Sequence, residues 1–405
     1  MRTKIVLLCS LLFFICSLSW GFDFGLILDQ NADYGGYGDS GSFGYSGSLL
    51  PRFSALLGKS ADIYASAGFK AGYKEGGEWA FLPELLRTEL TFYTSSLEFK
   101  AGRLYHSDPL GFIAEGLFDG ARLSLDSEAG TFSLGTFFTG LLYKGRANIL
   151  MTQADREIYT RDPDFANFAN NFADSYFAPR RFVSSLGWER LGLGGSLEAR
   201  AALFAQFDLS AEAPLHSQYL AGKVSWPGYM FGFDVGGTLE LIEEEEDFGM
   251  AAATELALHL TPPTRFPNRL SLLGRFSSGR VEGTKILAFQ PITTVNQGEI
   301  LKVGLSGLSI VSLDYLIWPV TVFSAGLTST CFIRSDSGTY GMYPISGEDG
   351  GYILGTEFFG VFLWHPSSDF QVNLGGGMFM PSLGNANPEA ELSWRMEINV
   401  VVSFF

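Results

Sequence analysis

Acidic and basic residues stand two positions apart in several segments of the chain. Glu198 and Arg200 flank an alanine, and Arg395 and Glu397 flank a methionine. Residues two apart share one face of a β-strand, so each pair would place a carboxylate beside a guanidinium group. Such groups either pair with each other as hydrated wall residues, or face each other across a channel and order polar solutes.

Histidines and nucleophiles are not arranged for catalysis. His216 and Ser217 are a base and a nucleophile by type, yet adjacent residues of a strand point to opposite faces. The sequence has no Gly-x-Ser-x-Gly elbow, phosphate loop, dinucleotide fingerprint or paired metal-binding histidines. The acidic run 243–247 is typical of a solvated turn. We therefore predict no enzymatic activity, no cofactor and no metal site.

The composition excludes several classes of protein. The 405 residues include 43 acids and 27 lysines and arginines, a formal net charge of −16 that repels nucleic acid. Aromatic residues make up 15%, which is too many for a disordered chain. Charged residues make up only 17%, below the ~25% of ordinary soluble domains, so another kind of surface must replace the charged one.

The first 21 residues have the pattern of a cleaved signal peptide. Arg2 and Lys4 precede an apolar run, and Ser19 and Gly21 are small residues at positions −3 and −1 of a cleavage site. The segment holds no acid, so the mature chain would carry a net charge of −18. A lipoprotein anchored at Cys16 is the alternative, although bulky residues precede that cysteine. No later stretch is apolar enough to predict a transmembrane helix.

The rest of the chain alternates apolar and polar residues. Near the C-terminus, Trp394, Met396 and Ile398 alternate with Arg395 and Glu397. A period of two residues predicts β-strands, and a soluble β-sandwich would show it as well. The predicted strands are mostly 10 to 14 residues long, close to the ~9–11 that cross a bilayer when tilted. Their length therefore favours a barrel in lipid, where the sheet must close because an open edge cannot be hydrated.

Aromatic residues near the predicted strand ends support this interpretation. Membrane barrels carry such residues as girdles at both interfaces. The girdle candidates are Tyr73, Tyr93, Trp188, Trp226, Trp318 and Trp364. The last residues are also aromatic, and we expect the barrel-assembly machinery to bind the segment that ends in Phe404 and Phe405. The alternation places Phe404, and not Phe405, on the outer face. Two pairing registers that differ by one residue therefore stay open for the last strand.

We predict an all-β, antiparallel up-and-down transmembrane barrel of about 18 strands over residues 22–405, with 16 strands as the alternative. The strands begin with 22–30 and 47–57, and the registers are weakest at 22–57 and at 303–333, where strands 303–316 and 319–333 are predicted. Short periplasmic turns alternate with long extracellular loops, as in outer-membrane barrels. The long loops are predicted at 31–46, 74–83, 106–116, 144–180, 279–302, 334–351 and 381–391.

Charged residues on the inward phase of these strands are the candidate pore lining, because an Arg or Lys that faces lipid at mid-depth costs roughly 2–4 kcal/mol. The candidates are Lys100, Arg103, Arg122, Glu198, Arg200, Lys223, Asp234, Glu240, Arg275, Glu357, Arg395 and Glu397. Two interpretations stay open. These residues are either mutually paired wall residues without selectivity, or opposed charges at a constriction.

The longest loop, 144–180, is expected to fold into the barrel mouth and narrow it, with an exposed surface loop as the alternative. A loop of this length is usually functional or disordered. Its basic and acidic residues nearly balance in an otherwise acidic chain. The candidate constriction residues are Arg146, Arg156, Arg161, Arg180 and Arg181.

Short motifs resemble a known family. Gly102-Arg103 at a strand end, followed by Phe118-Asp119-Gly120-Ala121 at the start of the next, resembles the pattern of porin-like outer-membrane proteins, notably the alginate-export family. The segments 289–293 and 355–357 are similar to that family too. The resemblance implies an 18-strand barrel with an arginine-lined lumen that conducts anionic sugar polymers or small anions. Its motif positions match Arg103, Asp119 and Glu357.

Three functions from different classes remain open at this stage. The first is an outer-membrane pore for small polar or anionic solutes, including acidic saccharides. The second is a transporter of hydrophobic substrates, for which residues 22–46 make a poor plug. The third is a structural or adhesive surface barrel. The expected partners are outer-membrane lipid, the assembly machinery and a small solute, and the sequence leaves the oligomeric state undetermined.

Overall fold

A computed structural model describes residues 22–161, 175–210, 214–244, 247–336 and 351–404. The predicted signal peptide, Phe405 and the middle of the longest loop lie outside the described residues. None of the helices in the described part of the chain is long and apolar enough to cross a membrane.

The strands form where apolar and polar residues alternate, and the two sets face opposite sides of one sheet. On the strand 197–208, Leu203 and Phe207 are exposed on the outer face, whereas Ala202 and Phe204 are buried on the inner face. Glu198 and Arg200 share the inner face with Ala202. The outer surface is therefore apolar, while charge is concentrated inside.

Eighteen strands follow one another in the described part of the chain, and each pairs antiparallel with the next. The barrel closes because β1 also pairs with β18, from Leu26 opposite Phe404 to Tyr37 opposite Ser393. The predicted 18-strand antiparallel barrel is therefore confirmed. The strands are β1 Phe22–Tyr37, β2 Ser40–Leu56, β3 Ala61–Lys74, β4 Ala80–Tyr93, β5 Leu97–Ser107, β6 Glu115–Ser127, β7 Gly130–Phe138, β8 Arg181–Leu193, β9 Leu197–Asp208, β10 Leu215–Trp226, β11 Phe231–Glu244, β12 Asp247–Leu260, β13 Asn268–Ser277, β14 Leu308–Val320, β15 Phe323–Arg334, β16 Ile353–Ser367, β17 Phe370–Met380 and β18 Ser393–Phe404.

Both described chain ends lie at one end of the barrel, together with short connections such as 128–129 and 368–369. We call this the terminal end and the opposite one the loop end. The connections 108–114, 139–180 and 278–307 all lie at the loop end. Helices α1 Lys144–Ala147 and α2 Gln153–Tyr159 belong to the second of these connections, and a 3-10 helix, Pro381–Leu383, follows β17.

The predicted long loop 31–46 is wrong. β1 and β2 pair along their whole length, from Phe22 opposite Ala55 to Tyr37 opposite Ser40, and only Gly38 and Asp39 form the turn. The segment is rich in glycine and serine, so it lacks the apolar alternation that marks a strand in sequence. Main-chain hydrogen bonds need no such alternation, and small inward side chains suit a lumen that is not filled by packing.

The predicted strands 303–316 and 319–333 are shifted in the structure. β14 begins at Leu308 instead of 303 and runs to Val320, so its turn to β15 falls at 321–322. β7 ends at Phe138, five residues earlier than predicted. In both places a segment that we predicted as strand belongs to a loop that packs inside the barrel. Apolar residues are buried in such a loop, so its sequence resembles that of a strand.

The loop-end halves of β5 and β6 leave the barrel wall. Pairing of β5 with β4 ends at Arg103, and pairing of β6 with β7 ends at Asp119, whereas β5 and β6 stay paired to Ser107 and Glu115. Gly102 has a φ of +125°, a conformation that favours glycine, at the point where β5 turns away. This hairpin, residues 103–119, folds into the lumen.

The tip of the hairpin reaches across the barrel. Leu110 packs against Gly236 of β11, where an added Cβ atom would lie 2.4 Å from Leu110 Cδ2. Phe112 contacts Phe289 of the connection 278–307, with ring centroids 6.1 Å apart. Buried residues of the hairpin, of that connection and of the segment 142–151 form one apolar cluster with the inner wall. One side of the lumen is therefore filled by packed loops.

Arg103 holds the branch point where the hairpin leaves the wall. Its Nε and Nη2 atoms donate to both oxygens of Asp119, at 2.8 and 2.9 Å. The same guanidinium group donates to the carbonyl oxygens of Leu85 on β4, at 2.6 Å, and of Leu141, at 2.8 Å. Both carbonyls lie where the regular strand pairing has ended, so one side chain replaces the missing sheet partners.

The segment after β7 occupies the place that the hairpin leaves in the wall. Tyr176 Oη donates to the carbonyl of Pro83 at 2.7 Å, and Arg146 Nε lies 2.9 Å from Glu84 Oε1. Both acceptors lie on the half of β4 that no longer pairs with β5. The wall is thereby continued by a loop.

Replacement of Arg103 by alanine should lower the free energy of unfolding of the refolded barrel by about 3 kcal/mol, because it leaves Asp119 and two main-chain carbonyls without their donor. Urea unfolding followed by circular dichroism measures this. Arg269→Ala, which removes an exposed arginine of the inner wall, is the matched control. Equal unfolding midpoints for the two variants would contradict the role of Arg103.

Candidate functional site

Charged side chains of β10, β12 and β13 form a connected row on the inner wall. Glu255 accepts from Lys223 Nζ at 2.9 Å and from Arg275 Nε at 2.8 Å. Arg275 Nη1 also donates to Gln297 of the connection 278–307 at 3.0 Å. The guanidinium carbon of Arg275 lies 5.4 Å from the ring centroid of Phe112. This row links the wall to the hairpin and to the connection 278–307.

A second charged group lies nearer the terminal end, on β5, β6, β8 and β9. Glu98 lies 3.2 Å from Lys100 and 3.6 Å from Arg122. Arg200 lies 2.8 Å from Glu189 and 3.8 Å from Glu198. A recess of about 450 Å³ lies beneath the hairpin, and its lining includes Glu98, Arg122, Glu189 and Arg200 together with His106 and Phe204.

A third set contains a serine, a histidine and an aspartate on adjacent strands. His259 Nδ1 lies 2.9 Å from Ser271 Oγ, and His259 Nε2 lies 3.0 Å from Asp234 Oδ2. Ser271 is buried, and it sits in register with His259 of β12 and Asp314 of β14. The main chain of β13 at Ser271 is therefore paired with β12 on one side and with β14 on the other. The side chains of Ser271, His259 and Asp234 form a hydrogen-bonded chain across β13, β12 and β11.

Arg395 and Glu397 lie on the opposite wall, where β18 meets β1. Their side chains are 2.9 Å apart, and Arg395 is also 4.0 Å from Asp33. All three remain partly exposed to the lumen. This wall is the one that the packed loops leave open.

Four predicted site residues are buried and bind loops or strand edges. Glu357 accepts from the main-chain N–H groups of residues 299–301 at 2.8 to 3.0 Å. Glu240 accepts from the N–H of Gln290 at 2.9 Å. Arg103 and Arg181 are also almost completely buried. These side chains fasten the loops to the wall, and the structure does not expose them to a solute in the pore.

The described part of the longest loop is anchored through Arg181 and Asp155. Arg181 Nη2 donates to Asp155 at 2.6 Å, and a second nitrogen contacts Asp208 of β9. Asp155 also caps α2, because its carboxylate accepts from the N–H of Thr152 at 2.9 Å while the Thr152 hydroxyl accepts in return. One carboxylate therefore joins the helix start to the barrel wall.

Other predicted residues of this loop are exposed at its surface or contact β4. Arg156, Arg161 and Arg180 are exposed. The hydrogen bond with Glu84 raises the pKa of Arg146, so this guanidinium group stays charged. The acidic and aromatic residues 162–174 that the sequence singled out lie outside the described residues.

Sequence reasoning missed Asp108, which shapes the hairpin tip. Its carboxylate accepts from the N–H groups of Leu110, Gly111, Ile113 and Ala114 at 2.8 to 3.0 Å. Burial raises the pKa of Asp108, and the four N–H donors oppose that rise. An Asp followed by Pro and then by Gly is a turn signal in the sequence, and it could have pointed to this residue.

No family model matches the chain, and no curated protein matches its sequence. Solved structures match it over nearly its whole length. OccK2 (OpdF) of Pseudomonas aeruginosa in complex with glucuronate aligns with a TM-score of 0.62 at 10% identity and covers 96% of this chain and 100% of its own. The outer membrane protein opdK of the same organism gives a TM-score of 0.60 at 10% identity, with coverages of 95% and 100%.

OccAB1 of Acinetobacter baumannii is also similar, with a TM-score of 0.58 at 11% identity over 96% of this chain and 98% of that one. At such low identities the likeness shows the fold alone. The chain has the fold of the outer-membrane porin barrels. These neighbours support a porin-like barrel in general, and they do not single out the alginate-export family.

Replacement of Asp155 by asparagine should expose the loop to protease. The change weakens the charge-assisted hydrogen bond to Arg181, and trypsin should then cleave after Arg156 or Arg161 about tenfold faster, because each 1.4 kcal/mol of opening free energy changes the cleavage rate tenfold. Mass spectrometry locates the cuts. Glu157→Gln, at an exposed acid of the same helix, is the control, and equal cleavage of both variants would show that Asp155 is not the anchor.

Proposed function

We propose that this chain is an outer-membrane porin through which small polar or anionic solutes diffuse. The apolar outer face meets lipid, and the assembly machinery binds the C-terminal segment with Phe404 and Phe405. The terminal end faces the periplasm and the loop end faces the outside, as in barrels of this class. A cleaved signal peptide, residues 1–21, would deliver the chain.

The proposed preference for anionic solutes is supported by the side-chain exposure in two ion pairs, where the cation is more exposed to the lumen than the acid. Arg87 has 45% of its side chain exposed, whereas its partner Glu89 has 4%. Arg275 has 21% exposed against 4% for Glu255. A solute that passes these walls meets the cation first, although the chain as a whole is acidic.

Other charged pairs reverse this order. Glu98 is more exposed than Lys100 and Arg122, its two partners, and Asp33 and Glu397 are more exposed than Arg395. The pore therefore presents cations beside the filled middle of the lumen, and acids around Glu98 and on the open wall. We propose Lys100, Arg122, Glu198, Arg200, Lys223, Asp234, Arg275, Arg395 and Glu397 as pore-lining residues.

The substrate class includes acidic saccharides. One structural neighbour was solved with glucuronate, a small hydroxylated carboxylate. The resemblance of Gly102-Arg103 and Phe118-Asp119-Gly120 to the alginate-export family supports the same class. In this chain the motif pair Arg103 and Asp119 forms the branch point of the hairpin, so it would act on the substrate only through the shape of the constriction.

Refolded residues 22–405 should form stable open channels in planar bilayers, with a reversal potential shifted toward anions in a KCl gradient. Arg87→Gln should move that potential toward cations, because it leaves the carboxylate of Glu89 without its cation. Arg265→Gln, in the turn 261–267, is the control. A folded barrel that never conducts would contradict the porin function, and a cation-selective wild type would contradict the anionic part alone.

We also propose that the connection 139–180 narrows the pore. Its residues Leu142, Ile149 and Met151 pack in the apolar cluster that fills one side of the lumen. Deletion of residues 150–175 should remove α2 and widen the passage, so the single-channel conductance should rise. Unchanged conductance of a correctly folded deletion variant would show that the loop is not part of the constriction.

A further inference from the structure

The wall left open by the loops carries a row of uncharged polar residues. Asn373 of β17, Asn399 of β18, Asn31 of β1 and Ser46 of β2 are directly opposite one another in successive strand pairs. All four are partly exposed and lie on the inner face, on the same phase as Glu397 and Asp33. We call Asn31, Ser46, Asn373 and Asn399 the amide band.

Hydrogen bonds within the band are long or shared. Asn373 Nδ2 donates to Asn399 Oδ1 at 3.3 Å, and Gln371 Nε2 donates to Asn373 Oδ1 at 3.3 Å. Asn399 Nδ2 donates to Asp29 Oδ1 at 2.5 Å and also approaches the carbonyl of Gln30 at 3.4 Å. Weak bonds of 3.3 Å exchange easily for bonds to a solute.

The four residues of the amide band do not belong to the apolar clusters in which the loops pack against the wall. Among the described residues, the apolar clusters of the loops pack on the other strands and meet the strands of the band only at Phe379, near the loop end of β17. The hydrogen bonds of the band run to its own members and to neighbouring residues of β1 and β17. An amide offers two donors and an acceptor, and a serine hydroxyl offers both roles. Each can therefore serve a sugar hydroxyl, which is itself a donor and an acceptor.

We propose that the amide band is a binding track for polyhydroxylated, sugar-like solutes. This inference rests on the proposed porin function and names the substrate class of the same pore. Four similar sites side by side would let a solute exchange one hydrogen-bond partner for the next, so no single site holds it. Arg395 and Glu397 flank the band on the side of the loop end, where a charged substituent of the solute would lie.

The test uses refolded residues 22–405 in planar bilayers, with glucose and glucuronate as probes. Each sugar should reduce the single-channel KCl current reversibly, and the concentration for half-reduction measures its binding. Leucine has nearly the shape of asparagine without its hydrogen bonds. The double variant Asn373→Leu with Asn399→Leu should bind both sugars about tenfold more weakly, because the leucine side chains form no hydrogen bonds with a sugar hydroxyl.

Controls separate the band from the pore as a whole. Ser54→Ala, on the inner face of β2 outside the band, should leave sugar binding unchanged. Asn399→Gln keeps an amide and should retain most of the binding. The KCl current without sugar should change little in the leucine variant, because both side chains have four heavy atoms and neither carries a charge.

Three results would overturn the inference. If the leucine variant conducts and binds both sugars as the wild type does, the band is not a binding track, and the porin function stands. If the leucine variant loses binding of glucuronate but not of glucose, the amides bind the carboxylate, and the proposed recognition of sugar hydroxyls is wrong. If the wild-type barrel folds but does not conduct, the proposed function and the band are both overturned.

Discussion

The structure depends on the need to pair every main-chain N–H and C=O group of a sheet that is surrounded by lipid. No water reaches an open strand edge in hydrocarbon, so the sheet must close on itself. The pairing of β1 with β18 meets this need for the barrel as a whole. The same need returns where the β5–β6 hairpin leaves the wall and strand edges lose their neighbours. There Arg103 and the segment after β7 supply the missing partners.

Because the β5–β6 hairpin folds into the lumen, the two sides of the lumen differ. One side is packed with loops whose apolar residues form a continuous cluster with the wall. Buried acids such as Asp108 and Glu357 hold those loops by accepting several N–H groups each. The other side, around β17, β18, β1 and β2, keeps small and polar side chains. Solutes would pass along this second side, between exposed cations and the amide band.

The strand period could be seen in the sequence because the two faces of the wall meet different surroundings. Apolar residues such as Leu203 and Leu220 face outward, and the charged pair of Glu198 and Arg200 faces inward. The segment 31–46 was not predicted as strand because glycines and serines interrupt its alternation, although Tyr34 and Phe43 face outward. The inward positions of Lys223 and Arg275 followed from the same period. Their connection through Glu255 in one row required the register of four strands, because Gly236 of β11 lies between Lys223 and Glu255.

The sequence by itself determined the class of architecture and the face on which most charges lie, because both follow from a local period of two residues. It favoured 18 strands over 16, and the closed strand pairing decided the number. Only the tertiary structure decided which charges are exposed in the pore and which are buried under loops. Arg103 illustrates the difference, since its role depends on strands β4 and β6 and on Leu141, which are 16 or more residues away in the chain. Contacts between distant segments leave no periodic pattern, so no reading of one segment could have revealed them.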